Sequence, residues 1–314
     1  MKCKRCREKA EVALRAHNAA FCRPCYLGYF RRQVERAIEG ARMFTKDERL
    51  LLAVSGGKDS LALWDVLAEL GYDVTGFDLA QGIGEYSALS RTKVEAFAAT
   101  RGFRLEIGDL EQEGPGLAVP DVARLTRRPS CSACGTLKRY SFDRAAHAGG
   151  FDVLVTGHNL DDEAARLLGN VLRWQTDHLA RQRPVLEPTH PKFVRKVKPL
   201  YLLSEYETAV YAFMRGIDYV VDECPNSVGA TQLVYKEALN RLEAESPGTK
   251  QSFVREFVRR VQPALAEPAI AEHTDPNACV RCGMPAWGEL CGFCRLVDEV
   301  TTKRARRTSA APAA

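Results

Sequence analysis

The sequence lacks any long apolar run. None of its hydrophobic stretches approaches the ~18 residues that a membrane helix needs, so we expect no membrane segment. The first six residues alternate cations with cysteine and have no apolar core, unlike a signal peptide. Charge of one sign is also scarce, because 45 Lys and Arg against 40 Asp and Glu leave a net charge of +5. We therefore expect a cytoplasmic globular protein that permits a nucleic acid partner without requiring one.

Cysteine, by contrast, is abundant. In a reducing cytosol, 11 cysteines indicate metal ligands or catalytic thiols rather than disulfides. They sort by position into a group of four, a group of three and a second group of four. The groups are Cys3, Cys6, Cys22 and Cys25; Cys131, Cys134 and Cys224; and Cys279, Cys282, Cys291 and Cys294.

Each group of four consists of two Cys-x2-Cys pairs, which is the pattern of a four-cysteine zinc site. The first two pairs are separated by 15 residues and the last two by eight. Residues 1–27 are too few to build a core, so zinc would supply much of their folding energy. We predict one zinc ion in each terminal module.

The hexapeptide Ser55–Ser60, Ser-Gly-Gly-Lys-Asp-Ser, follows the apolar run 50–54 and precedes an apolar-periodic segment. This order predicts a tight turn from a buried strand into a helix. Two glycines let the backbone approach an anion, and the first N–H groups of the helix face it. The string is not a Walker A motif. It resembles the PP-loop of the ATP pyrophosphatases, which adenylate a substrate and release pyrophosphate.

Strands and helices alternate from residue 48 onward. We predict strands at 50–54, 74–79, 103–107 and 152–156, and helices at 61–70, 87–101 and 160–173. Such alternation predicts an α/β fold with a doubly wound parallel sheet whose ligand lies at the carboxyl ends of the strands. Gly56 and Gly157 both fall at such ends. Residues 81–86 are a candidate for the adenosine side of the same site.

Several later segments carry weaker signals. Residues 109–130 predict an ordered loop or lid, and 192–197 alternates like an edge strand. The cations around it suit either an RNA backbone or a solvated edge, and the pattern leaves both open. We also predict helices at 28–43, 204–215, 231–242 and 250–265, and a short strand at 217–221. Prolines 263, 268 and 276 predict a linker, and the basic tail from Lys303 predicts disorder.

The group of three cysteines admits three interpretations from its residues alone. Buried structural thiols would not explain a Cys-x2-Cys pair after a proline-rich loop. Catalytic thiols that carry persulfide sulfur are a second possibility. The third is an iron–sulfur cluster with three protein ligands, which leaves one iron open to an exogenous sulfide.

Four motifs occur together in one order: Ser55–Ser60, Cys131-x2-Cys134-Gly-x2-Lys138-Arg139, Gly157-His-Asn-x-Asp161-Asp162, and Cys224-Pro225. With a four-cysteine module at each end, the chain resembles the tRNA 2-thiolation enzymes of the TtuA type over residues 1 to about 300. These PP-loop transferases thiolate carbon 2 of 5-methyluridine at position 54 in the T loop.

The resemblance implies a [4Fe–4S] cluster on Cys131, Cys134 and Cys224, two zinc ions on the quartets, Mg²⁺, and ATP as co-substrate. It implies catalytic roles for Lys138 and Asp162, with Asp161 a weaker candidate. The implied ATP-binding residues are Ala53, Val54, Ser55, Gly56, Gly57, Lys58, Asp59, Ser60, Leu79, Gly157 and Asp162. It further implies tRNA as substrate, a ubiquitin-like sulfur carrier with a C-terminal thiocarboxylate, and a homodimer.

The corresponding domain organisation has five parts. We expect a zinc module at 1–27, a linker helix at 28–47, the PP-loop domain at 48–266, a second zinc module at 267–300 and a basic tail at 301–314. Two other functions remain open. One is 2-thiolation of the wobble uridine of the anticodon, and the other is zinc-dependent RNA binding without catalysis.

Overall fold

The computed structural model describes residues 1–112, 116–271 and 276–309. Its centre is a six-stranded sheet in the order β5-β4-β3-β6-β8-β7. All neighbouring strands are parallel except β7, which pairs antiparallel with β8 at one edge. The strands are β3 (Arg49–Val54), β4 (Asp73–Ala80), β5 (Arg104–Asp109), β6 (Val153–Thr156), β7 (Val185–Leu186) and β8 (Arg195–Val197). The predicted fold class is therefore confirmed.

Helices cover both faces of this sheet, because residues of β3 alternate between two cores. Leu50, Leu52 and Val54 pack on one side, and Leu51 packs on the other. The helices are α1 (Arg23–Gly40), α2 (Lys58–Glu69), α3 (Gly84–Arg101), α4 (Val119–Thr126), α5 (Ser130–Ala148), α6 (Leu160–Leu172), α7 (Thr176–Ala180), α8 (Glu205–Arg215), α9 (Thr231–Glu245), α10 (Thr249–Glu256), α11 (Gln262–Ala271) and α12 (Gly292–Ser309). Of the described helices, none has the length and apolar character to cross a bilayer.

The chain order places the ligand site. After β3 the chain builds β4 and β5 on one side, then returns to place β6 on the other side of β3. Ligands of open α/β sheets bind where the order reverses in this way. The carboxyl ends of β3 and β6 carry the Ser55–Ser60 and Gly157-His158 turns, so both motifs meet at the switch point.

Each terminal module adds a two-stranded sheet. In the first, β1 (Val12–Leu14) pairs with β2 (Ala19–Phe21), and in the second, β9 (Asn277–Ala278) pairs with β10 (Pro285–Ala286). The first module is held to α8 by Glu207, which accepts hydrogen bonds from Tyr29 (2.9 Å) and His17 (3.2 Å). The second packs on α5, where the rings of Tyr140 and Phe293 stack with centroids 3.7 Å apart.

Several predictions about the later segments are wrong. Residues 109–130 are not one loop, because α4 occupies much of them and buries Val119 and Val122. The strand predicted at 192–197 begins only at Arg195 and lies inside the sheet, so it is not an edge. No strand forms at 217–221; instead the Val220 N–H donates to the Gly56 carbonyl (2.9 Å).

The end of the chain also differs from expectation. Helix α10 continues into α11 through a single π-helical turn at Phe257–Val261. Pro263 lies inside α11, so the linker predicted to start at this proline is wrong, and the helix predicted at 250–265 extends further. Residues up to Ser309 are helical, so the tail from Lys303 to Ser309 is not disordered. Leu296 and Val300 of α12 are fully buried, which explains this order. Residues 310–314 lie outside the described part of the chain.

Candidate active site and metal centres

The turn after β3 has the geometry predicted for an anion site. Gly57 caps α2, and the Ser60 hydroxyl donates to the Gly57 carbonyl (3.0 Å) while accepting from the Ser55 N–H (3.2 Å). Gly56 has a φ of +71°, and a Cβ there would lie 2.8 Å from the Ser90 carbonyl oxygen. The turn thus requires glycine at this position on both conformational and steric grounds.

The turn after β6 packs directly against the first. A Cβ on Gly157 would lie 3.1 Å from the Cα and N of Ser60, so glycine allows the two turns to touch. Asn159 then caps α6 in a capping box, accepting from the Asp162 N–H (3.1 Å) while Asp162 accepts from the Asn159 N–H (3.3 Å). This reciprocal cap fixes the Asp162 carboxylate at the helix start.

A cavity of about 240 Å³ opens between the two turns. Nine of the predicted ATP-binding residues line it: Ala53, Val54, Ser55, Gly57, Asp59, Ser60, Leu79, Gly157 and Asp162. Gly56 and Lys58 are not among its walls. Lys58 instead pairs with Glu205 (2.7 Å) and Asp59 (3.1 Å), so its charge is directed toward α8 in this state.

A second cavity of about 470 Å³ adjoins the first and contains the three remaining cysteines. Cys131 and Cys134 come from the start of α5, and Cys224 comes from the segment before α9. The two cavities share Ser55, Leu79, Gln81, Lys138 and His158 in their walls. The nucleotide-type turn and the cysteine trio therefore belong to one continuous site.

The cysteine trio (Cys131, Cys134 and Cys224) borders an accessible cavity, whereas each quartet is a compact cluster. Cys131 is exposed, and Cys134 and Cys224 are half-buried. The Cys134 thiol donates to the Gln81 amide oxygen (3.1 Å). Burial is the main cause that raises the pKa of Cys134, and the Lys138 ammonium opposes it. Three thiols around an accessible cavity, with a nearby cation to favour thiolates, fit an iron–sulfur cluster with one open iron.

Lys138 lies at the junction of the two cavities, as its place one helical turn after Cys134 predicts. Its ammonium has no hydrogen bond or ion pair with any residue that the structure describes. It is thus available to a ligand that spans the junction.

Asp162 and Asp161 have different surroundings. Asp162 borders the first cavity, and Lys236 of α9 contacts its carboxylate (2.7 Å) and also that of Glu205 (3.3 Å). Burial would raise the pKa of Asp162, but Lys236 holds it below its usual value. Asp161 is buried on the other side, where it pairs with Lys250 and accepts from the Glu205 N–H (2.8 Å). Its catalytic role stays a prediction.

Both quartets are assembled as predicted. In each, all four sulfur atoms lie within 4.8 Å of one another, a spacing that suits a single tetrahedral ion. Burial alone would raise the pKa of Cys3, but backbone N–H groups of Cys6, Cys22 and Arg5 lower it to about 6. Cys279 has the same arrangement, and its pKa is also about 6. Thiolates of this kind bind Zn²⁺ well, so the donor sets fit the metal.

Three cations of the segment 181–198 have carboxylate partners within the protein. Lys198 is buried and contacts both carboxylate oxygens of Glu163 (2.9 and 2.8 Å), while Lys196 pairs with Asp143 (2.7 Å). Arg195 pairs with Glu48 (2.9 Å). These cations therefore stabilise the sheet and its helices.

Gln81, from the segment 81–86 predicted to border this site, lines both cavities. Three further residues were not predicted from the sequence. Thr156 and His158 line the first cavity, and Lys236 contacts Asp162 from a helix more than 70 residues further along the chain. Of these residues, only His158 could have been found from the sequence, because it lies inside the Gly157-His-Asn-x-Asp-Asp motif. Lys236 had no such signal, because only the packing of α9 on α6 brings it near.

Comparison with known proteins agrees with this geometry. Residues 28–231 match the PP-loop domain family, and residues 2–27 match the N-terminal LIM domain of 2-thiouridine synthetase TtuA. The chain is therefore a PP-loop protein with an added N-terminal LIM-type module. More specifically, it belongs to the TtuA-type family of tRNA 2-thiolation enzymes, which are transferases.

Three relatives illustrate the match. The tRNA-5-methyluridine(54) 2-sulfurtransferase of Thermus thermophilus is 48% identical over 98% of this chain and 94% of its own length. The enzyme of the same name from Thermotoga maritima is 41% identical over 99% and 100%. Among solved structures, the U34-tRNA thiolase NcsA of Methanococcus maripaludis, with its [4Fe–4S] cluster, aligns over 95% of this chain and 96% of its own. Its TM-score is 0.80 at 25% identity.

Proposed function

We propose that this protein replaces the carbon 2 oxygen of 5-methyluridine 54, in the T loop of tRNA, with sulfur, converting ATP to AMP and pyrophosphate. The observation that carries this proposal is the continuity of the two cavities, with Lys138 at their junction. Activation of a carbonyl oxygen by ATP and its replacement by sulfur must occur at the same carbon. A single site with a phosphate-binding turn and a thiol trio meets that requirement.

The first cavity would hold ATP. The N–H groups at the start of α2 and the Ser55 and Ser60 hydroxyls suit its phosphates, since a helix N-terminus stabilises anions. The ionised Asp162 carboxylate suits a Mg²⁺ ion on the departing pyrophosphate, or a general acid/base role. Lys58 would exchange its contact with Glu205 for a phosphate when the nucleotide binds.

The second cavity would hold a [4Fe–4S] cluster on Cys131, Cys134 and Cys224. When bound, such a cluster supplies an iron with a free coordination position for sulfide. Lys138 would then stabilise the negative charge that develops on the uracil oxygen or the α-phosphate during adenylation, as an oxyanion-stabilising group does. Asp161 would support the site indirectly through its contacts with Glu205 and Lys250.

The choice of the T loop over the anticodon rests on similarity. Identity reaches 48% with a position-54 enzyme and 25% with the U34 thiolase, although both cover nearly the whole chain. We also propose one zinc ion per quartet, a ubiquitin-like sulfur carrier as donor, a homodimer and a cytoplasmic location. The carrier's thiocarboxylate would deliver sulfur to the exposed side of the trio, where Cys131 lies.

The test is mass-spectrometric mapping of thiolated nucleosides in tRNA after anaerobic reaction with ATP and sulfide. The proposal predicts 2-thiolation at position 54 and one AMP per thiolated base. Thiolation at the wobble position would identify the anticodon function instead. RNA binding with neither thiolation nor AMP formation would indicate a non-catalytic protein.

A further inference from the structure

His158 borders both cavities and has no role in the proposal so far. It follows Gly157 at the carboxyl end of β6 and lines both cavities at the junction where Lys138 also lies. Any base that reacts with ATP on one side and with sulfur on the other must pass through this junction. A base that reacts in this site would therefore pass close to His158.

The contacts of the Thr156 hydroxyl accommodate one particular tautomer of the His158 ring. The Thr156 hydroxyl has a single hydrogen, which it donates to the Val197 carbonyl of the neighbouring strand (3.4 Å). With its hydrogen directed at Val197, the hydroxyl accepts from His158, whose Nδ1 lies 2.9 Å from the hydroxyl oxygen. A neutral ring with its proton on Nδ1 leaves Nε2 with a bare lone pair.

The surroundings keep the ring neutral. Burial lowers the pKa of His158 to about 4. The cations Arg166 in α6 and Lys198 just after β8 lower it further, while the carboxylates of Asp162 and Glu163 act in the opposite direction. Nε2 has no hydrogen-bond partner among the described residues, and it is not one of the fully buried polar atoms that lack a partner. The ring therefore offers a fixed acceptor to a ligand in the cavity.

Uracil has a matching donor next to the reacting atom. Carbon 2 lies between N1, which is bonded to the ribose, and N3, which carries a hydrogen. When the carbon 2 oxygen attacks the α-phosphorus of ATP, pyrophosphate leaves, and the neutral O-adenylated base has a carbon 2–N3 double bond. The N3 proton must be removed in this step, because otherwise the base would be a cation.

Building on the proposed function, we infer that His158 Nε2 binds the N3–H of the target uridine and accepts its proton during adenylation. Hydrosulfide then adds to carbon 2, and the imidazolium returns the proton to N3. Carbon 2 expels AMP with the original oxygen, and the sulfur's proton is released to solvent. The sum is uridine, ATP and hydrosulfide giving 2-thiouridine, AMP and pyrophosphate.

The same contact would select the base. Cytosine presents an unprotonated N3 to the same position, so two lone pairs would face each other. A site built to pair with an N–H rejects an analogue that lacks it, since the buried acceptor is then left unpaired. His158 thus acts as the acceptor that distinguishes uridine from cytidine.

The experiment compares two tRNA transcripts, one with uridine and one with 5-fluorouridine. Fluorine makes the N3–H more acidic, so a base is needed less. We expect His158→Ala to lower kcat/KM for thiolation about 100-fold on the uridine transcript, the lower end for loss of a general base. On the fluorinated transcript the deficit should fall to about tenfold or less. Thr156→Val removes the hydroxyl that contacts Nδ1, so the ring proton is no longer held there. Its kcat/KM should fall by a smaller factor, again more on the uridine transcript than on the fluorinated one.

The controls separate this inference from folding and from the proposed function. Far-UV circular dichroism should be unchanged in both variants, and the exposed His147→Ala variant should match wild type on both transcripts. Equal deficits on the two transcripts, or no deficit, would overturn the role of His158. Wild-type protein that thiolated neither transcript would overturn the proposed function itself.

Discussion

The two cysteine quartets and the cysteine trio use the same side chain for opposite purposes. Each quartet brings four sulfur atoms within 4.8 Å of one another in a compact cluster, in which Cys6 is the one exposed member of the eight. The trio is spread along a cavity of about 470 Å³, with Cys131 exposed. Structural metal sites are closed and catalytic sites keep an open position. The quartets should therefore carry stability, and the trio should carry chemistry.

The largest effect should come from the trio. We expect Cys224→Ser to lower thiolation more than about 100-fold, since even the outer partners of metal ligands contribute 10–100-fold. Relative to cluster-free wild type, its Tm should change by no more than about 2 °C, because a half-exposed substitution costs within about 0.5 kcal/mol. Activity assays and a thermal melt of the same preparation measure both. A large fall in Tm would mean that the trio is structural.

Lys138 sharpens the comparison, because it shares a helix with two trio ligands. Lys138→Ala should lower kcat roughly 100-fold, as does loss of an oxyanion-stabilising group, while leaving ATP affinity nearly unchanged. Steady-state kinetics with equilibrium ATP binding measure this split. The matched control is Arg144→Ala, further along α5 on an exposed surface, which should keep wild-type kinetics. A Lys138 variant that kept its kcat would place the reacting atoms elsewhere.

A quartet should respond in the opposite way. Cys22→Ser should release zinc from the first module and expose residues 1–27 to proteolysis, since such modules fold on their metal. We expect thiolation to fall less than tenfold, because none of these ligands lines the cavities. Limited proteolysis and zinc titration provide the measurement. An intact module without zinc would refute its structural role.

The smallest effect concerns the junction of that module with α8. Burial would raise the pKa of Glu207, but hydrogen bonds from His17 and Ser204 hold it below its usual value. Its stabilising contribution is therefore present above the unfolded pKa of about 4.3 and is lost as pH falls through the folded value.

Glu207→Gln should accordingly cost about 1–2 kcal/mol at pH 7, the usual cost of weakened buried hydrogen bonds. The difference from wild type should narrow as pH falls below about 4.3. Denaturant melts at several pH values measure this trend. A difference that widened toward low pH would contradict the assigned sign.

The sequence allowed local features to be predicted well. The Ser55–Ser60 turn, the helix at 204–215 and the paired cysteines all depend on neighbouring residues, and the structure contains each of them. Features that depend on distant partners were missed. The sequence predicts Lys198 on the surface, but in the fold it is buried in an ion pair with Glu163. Lys236 contacts Asp162 only because α9 packs on α6.

The errors in secondary structure have the same origin. Residues 217–221 have strand-like composition, but no described strand pairs with them, and the Val220 N–H donates to the Gly56 turn instead. We predicted disorder for the basic tail from its polar composition. Burial of Leu296 and Val300 against the domain extends α12 through it, and Glu299 pairs with Lys303 (2.7 Å) one turn later.

The most direct test of the contrast between closed and open cysteine sites is the metal content of three anaerobic preparations. Wild type should contain two zinc ions and about four iron and four sulfide per chain, as a thiolate-bound cube requires. Cys224→Ser should lose its iron and keep both zinc ions, and Cys22→Ser should lose one zinc and keep its iron. Iron retained by Cys224→Ser, or zinc lost from it, would contradict the account.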